Sequence, residues 1–473
     1  MLSLPRLALA VLTTAATTAL AASCPNDLKT SYPSPAPKDG WTVRLVANSG
    51  LSKPRSILFD DSGALLVLDQ NVGVLRMVLE DHGGSCVTVA NTTTVVGNKD
   101  SRSGGAGVKL RGSASQLTRQ FNHGLQLSPD GKTLYVSTAN DVFAYAYDSN
   151  AGSVSGDPRV VVTGMDNTMH KSRTLFLTSG GDLLVSRGSA ANADVLAREE
   201  SSGHCQIRSF DVSKDRTNYT DGQVVGWGLR NSVGLGEHPT NKGVWSVENS
   251  VDNLRRQGQD IHNTNPGEEL NFHGQAGNYT GQNFGYPMCY TLWDTNNFPN
   301  LGSLRTGDNF AVEIAEDTNI APLSDEQCNA NSTRPVLALP AHTAPLDIVF
   351  DDKGEHAYVS LHGSWNSDPP VGYSLIRVPF GENGMPKAAG DSKDGFEEIV
   401  TSPDLSKCPS QCFRPVGLAW DAKKRLFLAS DTTKEIFVVM PKSGEDDGDE
   451  SAAARLGPSA WLAGALALLA WMV

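Results

Sequence analysis

Cations and hydrogen-bond donors recur in this sequence at corresponding places, most of them directly before an apolar run. The positions are Arg55, Asn122, His123, His170, Lys171, Arg173, Arg230, Asn231, His342 and Arg414, with His362 just after one such run. A single arginine or histidine is ordinarily a solvated or capping residue, whereas a set repeated at equivalent positions predicts a common site. Because guanidinium and ammonium groups bind carboxylates strongly, this set predicts recognition of an anionic ligand.

The apolar runs beside these residues are copies of one pattern, a strand, a turn rich in Asp, Gly, Asn or Lys, and a second strand. The copies occupy 56–69, 124–137, 173–186, 232–247, 346–360 and 417–430, and the copy at 232–247 is looser than the others. Each is typical of a β-hairpin, and a further strand usually follows. Six such units predict an all-β, six-bladed β-propeller, because radial repetition buries the faces that isolated hairpins would expose.

Two features leave other β architectures open. The irregular spacing of the copies also fits a β-sandwich or a pair of β domains, and the long gap before the fifth copy leaves room for a seventh blade. The propeller is favoured because no linker-like segment divides the array. Residues 41–47 form an apolar run ahead of the first copy and are predicted to supply the outer strand that closes the ring. In such a ring the residues that precede each innermost strand share the mouth of the central channel.

The composition agrees with a turn-rich β protein. Hydrophobic residues make up 39% of the 473 residues and charged residues only 19%, with 46 glycines and 25 prolines. No sustained helical period is present, which favours strands. The formal charge of −13 argues against a nucleic-acid partner, because nucleic acid requires a basic face.

Both ends of the sequence carry targeting patterns. Residues 1–22 hold one early basic residue, an apolar stretch and small residues, which predicts a secretory signal peptide rather than a short buried helix. Residues 442–473 are a polar, acidic spacer followed by a terminal apolar stretch shorter than the roughly 20 residues of a spanning helix. That layout predicts a GPI-attachment signal, with a plain amphiphilic tail as the alternative. We therefore expect the propeller domain at 23–441, on a secreted protein held at the outer cell surface or cell wall by a lipid anchor.

Cysteines and glycosylation sequons agree with secretion. Seven cysteines in a secreted protein suggest disulfides with one thiol left over. The favoured pairs are Cys408–Cys412, Cys289–Cys328 and Cys24–Cys86, with Cys205 free. Four sequons predict a surface glycoprotein, and their acceptors are Asn91, Asn218, Asn278 and Asn331.

A set of short motifs extends over residues 40–440. They are HKSRTL at 170–175, RN at 230–231, the run NSVD, PGEELNF and NFGYP, and then PAHTAPLDIVF, LHGSWN and RPVGL. With these motifs the chain resembles the family of soluble glucose and sorbosone dehydrogenases that use pyrroloquinoline quinone (PQQ), particularly the secreted fungal pyranose dehydrogenases. The resemblance implies a six-bladed propeller, which agrees with the repeat count.

The resemblance also implies a quinone with three carboxylates at the channel mouth. Its expected contacts are Arg55, Asn122, Lys171, Arg173, Arg230, Asn231 and Arg414, with His123 and His342 either beside them or structural. Three carboxylates explain why so many cations would gather there. The family also binds Ca²⁺, for which the carbonyls of Ser250 and Val251, with Glu248 or Glu269 nearby, are the expected ligands.

The implied reaction is the oxidation of a sugar hydroxyl or aldehyde, with a histidine as general base. His170 aligns with the base of the family and His362 is the second candidate, while Met169 replaces the acidic residue that precedes the base in the glucose enzymes. Electrons would pass to a separate acceptor such as a cytochrome, a quinone or a redox enzyme. Two alternative functions are a Ca²⁺-dependent propeller hydrolase of the lactonase type and a non-enzymatic recognition propeller at the cell surface.

Overall fold

The computed structural model describes residues 24–98, 119–166, 169–312 and 322–442. The strands belong to one compact unit, Asn26–Pro441. The predicted signal peptide and nearly all of the predicted lipid-attachment segment lie outside the described residues. Within the described ranges, the structure contains no helix with the length and apolar character needed to span a membrane.

Two strands precede the first blade, and the first two blades follow the predicted hairpins. The preceding strands are β1 (Ala36–Pro37) and β2 (Trp41–Ala47). The first blade consists of β3 (Pro54–Phe59), β4 (Leu65–Asp69), β5 (Gly73–Asp81) and β6 (Val87–Gly97). The second consists of β7 (Phe121–Leu127), β8 (Thr133–Thr138), β9 (Val142–Asp148) and β10 (Ser153–Thr163). In each blade neighbouring strands pair antiparallel in sequence order, as a meander does.

The third blade also takes up its predicted hairpin. Its strands are β11 (Leu175–Leu177), β12 (Asp182–Arg187), β13 (Gln206–Asp211) and β15 (Gln223–Trp227), while β14 (Thr217–Asn218) pairs in parallel with β10 of the second blade. Between β12 and β13 lie two 3₁₀ helices, Val195–Arg198 and Glu200–Ser202, and a third, Tyr219–Asp221, precedes β15.

The fourth blade contains the long gap that left room for a seventh blade. Its main strands are β16 (Ser232–Glu237), β17 (Gly243–Glu248), β20 (Glu268–Gln275) and the outer β25 (Leu337–Leu339). The intervening chain forms the following short elements: β18 (Arg255–Arg256), β19 (Gln259–Asp260), β21 (Asn278–Tyr279), β22 (Gln282–Asn283), β23 (Cys289–Thr291), β24 (Asn309–Ala311) and helix α1 (Asp325–Asn331). The gap is therefore occupied by hairpins and by an outer strand of the fourth blade, and the seven-bladed alternative is wrong.

The last two blades complete the ring. The fifth consists of β26 (Pro345–Phe350), β27 (His356–Leu361), β28 (Ser374–Pro379) and β29 (Glu397–Thr401), with β1 added at its edge. After a 3₁₀ helix, Leu405–Lys407, the sixth consists of β30 (Pro415–Trp420), β31 (Leu426–Ser430), β32 (Glu435–Pro441) and β2. Strand β2 pairs antiparallel with β32, so that Trp41 lies opposite Pro441. The predicted six-bladed propeller and its closing strand are confirmed.

The hydrophobic core lies between the faces of neighbouring blades. Phe59 of the first blade, for example, packs edge-to-face on Phe427 of the sixth, with ring centroids 4.9 Å apart. The innermost strands of all six blades surround a central channel of about 320 Å³, lined by parts of 56–59, 123–126, 174–176, 235–237, 347–350 and 418–420. The recurring cations precede or begin these strands, so that the fold gathers them at one end of the channel.

The cysteines follow the predicted pattern. Cys289 of β23 is bonded to Cys328 of α1, and Cys408 is bonded to Cys412. Cys24 and Cys86 are each disulfide-bonded, and Cys205 is a free, buried thiol. The four sequon asparagines are all exposed, while glycosylation itself stays a prediction.

Candidate active site

One carboxylate joins two of the recurring cationic positions across three blades. Asp431, directly after β31, accepts from Arg55 Nη1 at 2.6 Å and lies 2.9 Å from His362 Nε2. Arg414 donates from Nε to the carbonyl of His362 at 3.0 Å and from Nη2 to that of Gly363 at 2.8 Å. The first, fifth and sixth blades therefore meet in one charged cluster at the mouth.

The electrostatics of this cluster set the protonation of His362. Burial lowers the pKa of His362 to about 4, although the neighbouring Asp431 alone would raise it. Burial would raise the pKa of Asp431, but the charges and hydrogen bonds of His362 and Arg55 outweigh it and hold that pKa well below its usual value. At neutral pH the imidazole is therefore neutral and donates its Nε2–H to a carboxylate, which leaves the Nδ1 lone pair available as an acceptor.

Arg230 lies in a dense network of acceptors. Its guanidinium, only 3% exposed, donates to the carbonyl and side-chain oxygens of Asn192 at 3.1 and 2.8 Å and to the carbonyl of Ser250 at 2.5 Å. It also forms a 2.9 Å ion pair with Asp252 Oδ2. Arg230 thus holds together loops of the third and fourth blades, and its donors already face protein oxygens.

His170 lies in the neighbouring part of the mouth. Its Nδ1 is 2.7 Å from the hydroxyl of Ser189, and its backbone N–H donates to the carbonyl of Ser189 at 3.0 Å. Burial, followed by the charges of Arg230 and Arg173, lowers its pKa to about 3. The imidazole is therefore a neutral group whose Nδ1 lies against a hydroxyl.

A glycine allows His170 and Asn231 to approach each other. A Cβ on Gly188 would lie 2.6 Å from Asn231 Oδ1 and 2.7 Å from His170 Cβ. Any side chain at residue 188 would therefore displace one of the two, and the mouth has its present shape because residue 188 has no side chain.

The second blade contributes an amide and a histidine with one unpartnered ring nitrogen. Asn122 Nδ2 donates to the carbonyl of Lys171, whose own side chain is exposed. His123 is 2% exposed and lines the channel, and its Nδ1 has no hydrogen-bond partner among the described residues. Burial, with a smaller contribution from Arg55, lowers its pKa to about 3. An unpartnered buried polar atom at this place is a feature that a bound ligand or water would satisfy.

Two of the residues predicted to contact the cofactor, Arg173 and His342, instead contact backbone carbonyls of neighbouring loops. Arg173 is completely buried and donates to the carbonyls of Met165, His170 and Ser172, which places it beneath these backbone groups rather than on the channel surface. His342 is buried with a left-handed φ of 61°, and its Nε2 contacts the carbonyl of His262. Both geometries support the loops around the mouth.

The expected metal ligands differ in their availability. Both oxygens of Glu248 accept hydrogen bonds, from Asn231 N–H at 2.6 Å and from the Ser232 hydroxyl. Both oxygens of Glu269 do so too, from Asn271 at 2.9 Å and Thr291 at 2.6 Å. Burial raises the pKa of both carboxyls, which favours their neutral forms.

The carbonyls of the 250–251 loop fit a hard cation better. No described residue donates to the carbonyl of Val251, and that of Ser250 faces the Arg230 guanidinium. In the described part of the chain, no group of three or more His, Cys, Asp or Glu side chains is arranged to hold a metal ion. These two carbonyls suit calcium, but a complete shell would require oxygens from a bound ligand or from water.

The mouth also carries hydrogen-bond donors that suit a ligand with several carboxylates. Among the described residues, no acceptor occupies the Nε and Nη2 of Arg55 or the Nη1 of Arg414, and the Lys171 ammonium is exposed. These groups are unused donors of the mouth, whereas His123 Nδ1, on a neutral ring that is hydrogen-bonded to the Val233 backbone through its other nitrogen, is an unpartnered acceptor. The residues present therefore fit a planar ligand that carries several carboxylates.

Several residues of the site were missed from the sequence. They are Ser189, Asn192, Asp252, Glu268 and Asp431. The recurring polar residues precede each hairpin, whereas Asp431 directly follows a second strand, as His362 does. The position after each second strand was the available signal. Asn192 and Asp252 lie on loops whose path the repeats do not reveal.

The fold and the site together define a six-bladed propeller with cationic side chains at the mouth of its channel. A family model described as TrAA12-like matches residues 35–442. A sugar dehydrogenase of Hypocrea jecorina, described as PQQ-dependent, is 47% identical over 436 residues, covering 90% of this chain and 93% of that protein.

Two solved structures give the same assignment. The Trichoderma reesei enzyme of carbohydrate-active family AA12, described as its calcium structure, matches with a TM-score of 0.81 at 48% identity, over 88% of this chain and 100% of that one. The holo form of the PQQ domain of Coprinopsis cinerea pyranose dehydrogenase matches with a TM-score of 0.77 at 33% identity, over 88% of this chain and 99% of that one. The chain belongs to the TrAA12-like family. The resemblance stated from the motifs, and with it the oxidoreductase class, is confirmed.

Proposed function

We propose that this protein oxidises a hydroxyl or aldehyde group of a pyranose or sorbosone-type sugar with PQQ and Ca²⁺ bound at the channel mouth. The observation that carries the proposal is the set of unused donors on Arg55 and Arg414, together with the exposed Lys171 ammonium. An acidic protein that gathers cations at one mouth is suited to a ligand with several carboxylates. The names of the Hypocrea and Coprinopsis relatives support the same cofactor.

When bound, PQQ supplies the acceptor for the hydride that leaves the sugar carbon. His170 accepts the hydroxyl proton, because its lowered pKa keeps the imidazole neutral and Ser189 orients the ring. His362 contributes Nδ1 as an acceptor, and Asp431 fixes its tautomer. The carbon–oxygen single bond of the sugar becomes a carbonyl, and one hydride and one proton leave.

Ca²⁺ would be held by the carbonyl oxygens of Ser250 and Val251. The calcium structure of the Trichoderma reesei relative supports this cation. Because the chain supplies carbonyls there rather than a cage of carboxylates, the cation and the quinone should bind together, each completing the site of the other.

The reaction takes place outside the cell under this proposal. The signal-peptide pattern at 1–22, the lipid-attachment pattern at 442–473 and the four sequons support it. A separate redox protein or small quinone then takes the electrons from the reduced cofactor.

Reconstitution tests the proposed function. The purified protein is titrated with PQQ and CaCl₂ and followed by absorbance, and dye reduction is then measured with a panel of pyranoses and a panel of lactones. We expect saturable quinone binding that weakens without Ca²⁺, together with sugar-dependent dye reduction. Lactone hydrolysis without quinone would instead support the hydrolase alternative. Failure to bind quinone at micromolar concentration would overturn the proposal.

A further inference from the structure

One tryptophan at the mouth is exposed although the loop that carries it is tightly held. Trp365 has 65% of its surface exposed, and no described residue stacks on its ring or hydrogen-bonds to it. It is the most exposed of the large hydrophobic residues that the structure describes. An exposed indole gains nothing from burial in the folded chain, which makes it a candidate for contact with another molecule.

Hydrogen bonds hold the residues on both sides of Trp365, through the backbone before it and through a side chain after it. The N–H of Gly363 donates to the Thr343 carbonyl at 2.9 Å, and the N–H of Ser364 donates to the Val371 carbonyl at 3.0 Å. On the other side, Asn366 Nδ2 donates to Asp252 Oδ1 at 3.1 Å. The ring therefore projects from a loop whose conformation is set before any ligand arrives.

Those anchors also fix the place of the ring. Asp252 is the carboxylate that pairs with Arg230, and His362, three residues before Trp365, pairs with Asp431. Trp365 thus lies between the two charged networks of the mouth. Met169, another exposed large hydrophobic residue, directly precedes His170. Exposed apolar side chains therefore accompany both candidate bases.

We infer that Trp365 is the platform on which the sugar ring stacks before oxidation. This inference rests on the proposed function and adds to it a class of substrate, pyranoses with an uninterrupted C–H face. The polar donors of the mouth bind hydroxyl and carboxylate oxygens, whereas the indole covers the apolar face of the ring that those donors cannot bind. An aromatic face in a fixed orientation gives affinity at low entropic cost.

The test separates stacking from cofactor binding. Trp365→Ala and Trp365→Phe are compared with Val78→Ala, an exposed hydrophobic residue on β5 of the first blade. We expect Trp365→Ala to raise KM for pyranoses about tenfold with little change in kcat. Trp365→Phe should stay within about threefold of the native KM, and Val78→Ala should be unchanged. An acyclic polyol, which has no ring face, should show the same KM with all four proteins.

A second readout does not depend on turnover. With the quinone-loaded protein kept reduced and without acceptor, pyranose should change the tryptophan fluorescence of the native protein but not that of Trp365→Phe. An unchanged pyranose KM in Trp365→Ala, or an equal rise for the polyol, would overturn the inference while leaving the proposed function intact. A weakened quinone affinity in Trp365→Ala would assign the ring to the cofactor instead. A native protein that neither binds quinone nor oxidises sugars would overturn both.

Discussion

His362 Nε2 and Asp431 Oδ1 lie 2.9 Å apart across the boundary between the fifth and sixth blades, and the other oxygen of Asp431 holds Arg55 of the first. One carboxylate therefore fixes both the tautomer of an imidazole and the position of a guanidinium.

Asp431→Asn removes the charge of that carboxylate while keeping its shape. Because the Arg55–Asp431 pair is nearly buried, the remaining unpaired cation should destabilise the protein by about 3 kcal/mol. Guanidinium chloride unfolding measures this loss. The matched control is Asp215→Asn, which breaks the exposed pair with Arg159 and should leave the midpoint unchanged. Equal midpoints for both variants would contradict this account.

Arg414 and Arg173 should separate binding from stability. Arg414→Ala removes a half-buried cation at the mouth and should weaken quinone binding by about 10- to 100-fold with a small change in Tm. Arg173→Ala leaves the buried carbonyl of Met165 and the part-buried carbonyls of His170 and Ser172 without their donor, and should lower the free energy of unfolding by about 3 kcal/mol. Quinone titration and thermal unfolding distinguish the two. The interpretation fails if the two variants exchange these effects.

The two histidines should differ in their kinetic roles. His170→Ala should lower kcat by about 10²- to 10⁴-fold while quinone binding persists, since a general base acts in the transition state. Because its pKa is about 3, the activity that depends on neutral His170 should be present across pH 5–8 and lost only as the pH falls toward 3. Stopped-flow reduction of the bound quinone measures the step. A larger loss of kcat in His362→Ala would transfer the role of base to His362.

Gly188→Ala tests the close approach of His170 and Asn231. The added methyl would meet both side chains well inside contact distance, so kcat should fall and the protein should lose stability. Gly180→Ala, at a turn outside the left-handed region where a Cβ would lie 3.6 Å from Thr178 Oγ1, controls for the loss of backbone freedom. Native kcat in Gly188→Ala would show that the mouth repacks.

The stability of the cofactor-free protein should have a maximum in mildly acidic solution. Burial lowers the pKa values of four histidines to about 3, 3, 3 and 4, namely His123, His170, His273 and His362. The unfolded chain therefore binds protons that the folded chain does not bind, and the free energy of unfolding falls as the pH drops below about 6.5. Glu268 and Asp347 have pKa values raised to about 8 and 7 by burial, so their contribution falls as the pH rises above about 4.

These two effects oppose each other between roughly pH 4.5 and 6.5, but four histidines outweigh two carboxyls, so stability still rises through this interval and reaches its maximum at about pH 6.5. Calorimetric Tm values from pH 3 to 9 measure it. Asp347→Asn should flatten the alkaline limb, and a Tm that still rises steadily toward pH 9 would contradict the assignment.

The repeated hairpins made the fold predictable, because the alternation of each copy records a half-buried strand. Strand β2 was predictable for the same reason. The site was only partly predictable. The residues that precede each hairpin lie at the same end of the channel. Side-chain rotamers and the paths of long loops decide which of them face it. Arg173 turned inward to three carbonyls, and Arg230 found its partners Asn192 and Asp252 on loops that no repeat describes.

The pairing of β2 with β32 has a topological consequence. The sixth blade is assembled from two ends of the propeller's sequence that are about 400 residues apart. Backbone hydrogen bonds between these two ends therefore close the ring, in addition to the packing of blade on blade. A single cut in any loop between blades would produce two fragments. The fragments would stay associated, because β2 and β32 still pair in one sheet and neighbouring blades still pack on each other. Such a nicked propeller should migrate as one particle until it is denatured. If the new termini are placed at that cut and β2 is joined to β32 by a linker, the result should be a circular permutant with the same mouth.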